Sequence, residues 1–163
     1  MDPGIEQALR EVRPVVFDFD GVFNGNHVWV NELRGEAVVC CRADGFSLRR
    51  LAEAGVDTLI LTTELVPVPS ARAPSSRSTA SKPWRQAGCA RGEEVAAREA
   101  LEEIVFVGND VDDVECLRAV GLPVVASDVW PDREHSRWVL ERRGGEGCVT
   151  VLCDVIWRAK GTA

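Results

Sequence analysis

Two carboxylates, Asp18 and Asp20, close the stretch Val15-Val16-Phe17-Asp18-Phe19-Asp20-Gly21-Val22. Alternation after a strand turns residues i and i+2 the same way. Carboxylates held side by side repel each other, and a hard divalent cation relieves that repulsion. Mg²⁺ suits the role because it prefers oxygen ligands and commonly shares them with a phosphate. The pattern therefore points to metal-assisted phosphoryl transfer. One carboxylate could attack phosphorus. The other could protonate the leaving oxygen and later activate water. Gly21 lets the backbone come close to a phosphate. Alone, the same residues also describe a solvated acidic loop.

A second acidic cluster, Gly108-Asn109-Asp110-Val111-Asp112-Asp113, lies far along the chain. Asp110 or Asn109 could complete a metal shell there, and Asp113 could orient a ligand or a lysine from behind. The helix dipole offers another reason for Asp112 and Asp113, as acids in a first helical turn. It does not explain why both acidic loops follow apolar runs. Thr62 also ends such a run. Its hydroxyl and the neighbouring backbone N–H groups, at Thr63 for instance, suit phosphate oxygens.

The elements that must position these groups alternate between strand and helix. Arg13 to Phe17, Val56 to Leu61, Ile104 to Val107 and Pro123 to Ala126 read as buried strands. Val28 to Val30 and Ala37 to Cys41 flank a polar turn and suggest a β-hairpin, about Val28 to Cys41. Asp44 to Ala54, Glu93 to Glu102, Asp112 to Val120 and Val149 to Lys160 read as helices. His135 to Leu140 suits either helix or strand, and Arg142 to Gly147 is a loop. Val66 to Arg91, rich in Pro, Ser, Ala and Arg, shows no clean period and reads as an irregular excursion. Strand–helix alternation predicts an α/β fold with a parallel sheet. Ligands in such sheets bind beyond the carboxyl ends of the strands. Asp18, Thr62, Asp110 and Asp128 each follow a predicted strand and so should share one rim.

At 163 residues, the chain suits one domain, 1–163, with a single core. The net charge of −7 excludes a general nucleic-acid grip, because no basic field dominates. No apolar run reaches the roughly 18 residues that a membrane span needs. The six cysteines form no C-x-x-C pair, which argues against zinc and fits reduced, buried thiols. With no basic-then-apolar leader at the N-terminus, the expectation is a cytoplasmic protein. Lysine is scarce: only Lys82 and Lys160 are present.

D-x-D-G-V after one strand, Thr after a second and G-N-D-x-x-D after a third resemble motifs I, II and IV of the haloacid-dehalogenase-like phosphatases. Arg42-Ala43-Asp44-Gly45 and Gly144-Gly145-Glu146-Gly147 extend the resemblance to the small capless branch. That branch includes the 3-deoxy-manno-octulosonate 8-phosphate and nonulosonate 9-phosphate phosphatases. It also includes the phosphatase-like C-terminal domain of acylneuraminate cytidylyltransferases, which Val107 to Leu122 resembles closely. The match covers about residues 12–64 and 103–156.

The resemblance implies a Rossmann-like fold with a hairpin insertion after the first strand and no cap domain. It implies Asp18 as nucleophile and Asp20 as general acid/base, with Thr62 and Lys82 completing the catalytic set. Mg²⁺ would be held by Asp18, the Asp20 carbonyl and an acid or amide at Asn109 or Asp110, with Asp113 behind them. Gly21, Arg42, Asp44 and Thr63 would face a phosphorylated sugar acid, although Asp44 also suits the N-cap of its own helix. Members of the branch are typically homotetramers in which the hairpin covers a neighbour's site. Three features depart from the pattern. Asn24 stands where a Thr is usual, Asn109 where an Asp is usual, and Thr150 near the place of an Arg. These departures, with the 66–91 segment, leave a second reading: a weak or inactive oligomerisation or regulatory module related to the cytidylyltransferases.

Overall fold

The computed structural model describes residues 2–61, 101–129 and 132–161. It opens with a helix that none of the sequence-predicted elements covers, α1 (Pro3–Glu11). Its signals are local. Asp2 caps it by accepting the N–H groups of Gly4 and Ile5 at 2.8 and 3.2 Å, and Pro3 takes the first turn, where no N–H is needed. Ile5 and Leu9, four residues apart, are its buried residues.

Five strands form one parallel sheet: β1 (Pro14–Asp18), β4 (Asp57–Leu61), β5 (Val105–Gly108), β6 (Leu122–Val125) and β7 (Trp138–Val139). Their spatial order is β4-β1-β5-β6-β7. Between β1 and β4 lie an antiparallel hairpin, β2 (Asn24–Val30) and β3 (Glu36–Cys40), and helix α2 (Arg42–Glu53). The hairpin begins at Asn24, earlier than the expected Val28, with an irregular register between Asn24 and Val28. The helix expected over Asp112 to Val120 is divided. A 3₁₀ turn (Val111–Asp113) precedes α3 (Val114–Ala119), because Asp110 and Asp113 form a reciprocal cap there. A 3₁₀ turn (Asp132–His135) leads to β7 within the segment that suited either state. The closing helix is α4 (Cys148–Ala159).

The central strands β1, β5 and β6 are buried on both faces, which is why they read as continuous apolar runs. Val15, Phe17, Val105, Val107 and Val124 pack on one side with Leu9, Leu48, Leu51, Leu152 and Ile156 of α1, α2 and α4. Val16, Phe106 and Val125 turn the other way and pack with Leu61, Cys116 and Leu117. Each fully buried Leu, Ile or Phe contributes about 1.5–3 kcal/mol. Arg50 ties α2 to α4, pairing with Asp154 at 2.7 Å and lying 4.3 Å over the Trp157 ring.

Asp44 makes a third tie, which corrects the expectation that it caps its own helix. It lies inside the first turn of α2, is 1% exposed, and caps α4 instead. Its Oδ1 accepts the Thr150 N–H at 3.0 Å and the Thr150 hydroxyl at 2.8 Å. The residue preceding α4, Gly147, has no side chain with which to cap it, so a neighbouring helix supplies the oxygen. Asp44→Ala is therefore expected to cost about 2–3 kcal/mol, and Thr150→Val about 1–2 kcal/mol. Urea unfolding measures both. A surface role for Asp44 would leave its variant within about 0.5 kcal/mol of wild type.

Candidate active site

β1 sends its chain to β4 on one side, whereas β5 pairs on the other. The sheet's connections therefore reverse between β1 and β5, and loops diverging at such a switch point leave a crevice. Asp18 ends β1, and Asn109 and Asp110 follow β5. Parallel register, Val15 with Val105 and Phe17 with Val107, brings the two loops level.

Asp18 lies half-buried at the floor of this crevice. Loss of solvation pushes its carboxyl well above the ordinary range, and the charges of Asp113, Asp20 and Asp110 push it further. The Phe19 backbone hydrogen bond acts in the opposite sense. Asp113 is also pushed up, to about 6, mainly by burial. Its Oδ2 accepts the N–H groups of Asn109 and Asp110 at 2.7 and 3.1 Å, which fixes the β5 loop from behind.

Asn24, read from sequence as a departure, is buried and makes three hydrogen bonds. Its Oδ1 accepts the N–H groups of Gly21 and Asn26 at 3.1 and 2.8 Å. Its Nδ2 donates to Asp20 Oδ1 at 2.6 Å. A residue here must both accept and donate to hold the Asp20 turn, and an amide does so without a hydroxyl. Asn109 makes a comparable tie. Its Nδ2 donates to the Gly21 carbonyl at 2.8 Å and, at a longer 3.4 Å, to Asp128.

Asp18, Asp20, Gly21, Asn109, Asp110 and Asp113 thus come together at one strand-end rim. Arg42 is exposed at the start of α2. Asp44, expected to face a substrate, is instead buried against α4. Thr62, Thr63, Lys82, the Val66 to Arg91 segment and the expected helix from Glu93 through residue 100 lie outside the described residues. At the end of that expected helix, Leu101–Glu103 is a 3₁₀ turn. Gly144 and Gly145 join the site through the Gly-rich loop: the Gly145 N–H donates to the Val22 carbonyl at 3.0 Å.

The donor set at the crevice is all oxygen, which fits a small hard cation. Among the described residues, no three His, Cys, Asp or Glu side chains form a preassembled metal cage. Mg²⁺ does not require one, since one or two carboxylates with water and phosphate commonly hold it. The raised carboxyls of Asp18 and Asp113 set a testable sign. In the metal-free protein, stability associated with their protonation is full below the ordinary carboxylate pKa. It is lost as pH rises through their folded values, for Asp113 about 6. A divalent cation relieves that penalty only where the carboxylates are ionised. At about 100 times its Kd, Mg²⁺ should raise Tm by about 5–10 °C near pH 7.5 and by much less near pH 5. Thermal scans with Mg²⁺ and with EDTA measure this, and equal gains at both pH values would contradict it.

No protein-family model matches the chain. The 3-deoxy-D-manno-octulosonate 8-phosphate phosphatase KdsC of Yersinia pestis is 24% identical over 159 residues, covering 94% of this chain and 84% of that protein. The corresponding phosphatase of Moraxella catarrhalis, solved with magnesium, phosphate and a KDO molecule, superposes with a TM-score of 0.90 at 19% identity. That match covers 97% of this chain and 92% of the other. A protein from Streptomyces avermitilis MA-4680, described as a HAD family hydrolase, is 30% identical with a TM-score of 0.81, covering 90% of this chain and 86% of its own. With that identity over nearly the whole of both chains, and with its acidic loops at the switch point of a matching sheet, the chain belongs to the haloacid-dehalogenase-like (HAD) family.

Proposed function

We infer that the protein is a Mg²⁺-dependent phosphatase that hydrolyses a sugar-acid phosphate of the octulosonate 8-phosphate or nonulosonate 9-phosphate type. The observation that carries this reading is the Asp18 carboxylate, held at a switch-point crevice among Asp20, Asp110 and Asp113. Carboxylates so close together repel one another, and a bound cation relieves that repulsion and can then hold the oxygens of a phosphoryl group. The similarity to the octulosonate phosphatases supports the choice of substrate class.

Asp18 attacks phosphorus in line with the ester oxygen and forms an aspartyl phosphate. Asn24 holds Asp20 Oδ1 as an acceptor, so the catalytic proton rides on Oδ2 and passes to the leaving alkoxide. The sugar acid departs. Asp20 then takes a proton from the water that attacks the aspartyl phosphate, and inorganic phosphate leaves. Asp18, the Asp20 carbonyl and Asp110 or Asn109 would hold Mg²⁺, which supplies positive charge against the phosphoryl oxygens when bound. Thr62 and Lys82 serve as further phosphate ligands in this reading, with Thr63 and Arg42 toward the substrate. The chain acts in the cytoplasm as one domain.

Purified protein is tested by phosphate release from both sugar-acid phosphates, with Mg²⁺ and with EDTA. Release that requires the metal is expected, and no release across the panel would overturn the reading.

The hairpin favours a homotetramer. Trp29 is 73% exposed and Leu33 92% exposed, with Val28, Val30 and Val39 also in solvent. A two-stranded hairpin is marginal alone, and so much apolar surface suits a subunit contact. Replacing both Trp29 and Leu33 with Asp should yield monomers by light scattering and lower kcat/KM by about tenfold or more, because a neighbour's hairpin no longer covers the site. A tetramer that hydrolyses none of the panel would favour the oligomerisation-module reading instead.

A further inference from the structure

Asp128 follows β6, and none of the roles described above requires it. One carboxylate there ties three loops. Oδ1 accepts the Gly144 N–H at 3.1 Å and the Asn109 amide at 3.4 Å, and Oδ2 faces Arg143 Nε at 3.4 Å. The same Asn109 amide donates to the Gly21 carbonyl at 2.8 Å. The Gly145 N–H and the Cys148 thiol both donate to the Val22 carbonyl, at 3.0 and 3.3 Å. The circuit is closed. The Gly21–Val22 turn is held by Asn109 on one side and by the Gly144–Cys148 loop on the other, and Asp128 joins the two.

We propose that Asp128 is a positioning residue that, through Asn109 and Gly144, clamps the Asp18–Gly21 turn between the β5 loop and the Gly-rich loop. The proposal rests on the phosphatase reading for its consequence in catalysis, but not for the clamp itself. Two of the three partners, the Gly144 N–H and the Asn109 amide, are neutral donors, and an amide oxygen at position 128 can still accept from both. An alanine cannot. The third, Arg143, is exposed and its contact is worth little. The clamp needs an acceptor, not a charge.

Asp128→Ala and Asp128→Asn separate these features. Asp128→Ala is expected to lower kcat for phosphate release by about 10- to 100-fold with KM changed by less than about threefold. It should also speed hydrogen exchange at the Gly144 and Gly145 amides while leaving Val15 and Val16 in β1 protected. Asp128→Asn should stay near wild type in both measurements. Wild-type exchange at Gly144 and Gly145 in Asp128→Ala would overturn the proposal. So would equal impairment by Ala and Asn, which would assign the effect to charge. Should the wild type release no phosphate, the phosphatase reading falls, while the exchange measurement still decides the clamp.

Discussion

Asp18→Asn is expected to abolish phosphate release and, in the same protein, to raise the Tm measured in EDTA. The first effect follows from the role of the carboxylate. An amide oxygen is a poor nucleophile and cannot form the aspartyl phosphate, so kcat should fall on the order of a thousandfold or more. The second effect follows from the environment. Burial, then the charges of Asp113, Asp20 and Asp110, hold the Asp18 carboxyl well above its ordinary range. At neutral pH the folded metal-free protein bears the cost of ionising it, and asparagine has the same shape without the charge. Each kcal/mol relieved corresponds to about 2–4 °C in a chain of this size. The gain should be largest near pH 7.5 and vanish in acid, where Asp18 is protonated anyway. Mg²⁺ should stabilise the variant less than the wild type. An unaltered or lower Tm in EDTA would contradict the electrostatic account, and activity within about tenfold of wild type would contradict the nucleophile.

Much of this arrangement is legible in the sequence because it rests on period and placement. A parallel sheet buried on both faces writes itself as short apolar runs, and the acidic loops are marked by following those runs. What the sequence conceals is partnership across distance. Asp44 reads as a cap for the helix it begins, yet it caps α4, because the pairing with Thr150 spans two helices that only the fold brings together. Asn24 reads as a lost hydroxyl, yet its amide makes three bonds within its own turn. Asp128 carries the right signal, an acid after a strand, but nothing local shows that it meets Gly144 and Asn109. Helix α1 is the opposite case. Asp2, Pro3, Ile5 and Leu9 carry a complete start signal and one face, in a stretch too short to stand out beside the apolar runs. The three residues Thr62, Thr63 and Lys82 lie beyond what the structure describes.

Gly144→Ala should be the most damaging single methyl group in the described part of the Gly-rich loop. A Cβ at Gly144 would lie 2.0 Å from the Gly21 carbonyl oxygen and 2.8 Å from that of Asn24. Both are backbone atoms, so no side chain can swing aside. The two loops must separate, which stretches the Gly144 bond to Asp128, the Gly145 bond to Val22 and the Cys148 contact with the same carbonyl. Overpacking with loss of buried hydrogen bonds predicts a cost of about 3 kcal/mol or more. Gly45 supplies the control of opposite sign. It lies within α2 with no atom inside 4 Å of an added Cβ, so alanine there should stabilise by about 0.5–1 kcal/mol through helix propensity. Urea unfolding with an unchanged m value reads both. If Gly144→Ala remained within about 1 kcal/mol of wild type, the loops would not be in backbone contact. Where the variant still folds, below its lowered Tm and with saturating Mg²⁺, its kcat should remain depressed. The displaced Gly21 turn carries Asp20 with it, and a proton donor moved by a fraction of an ångström no longer meets the leaving oxygen.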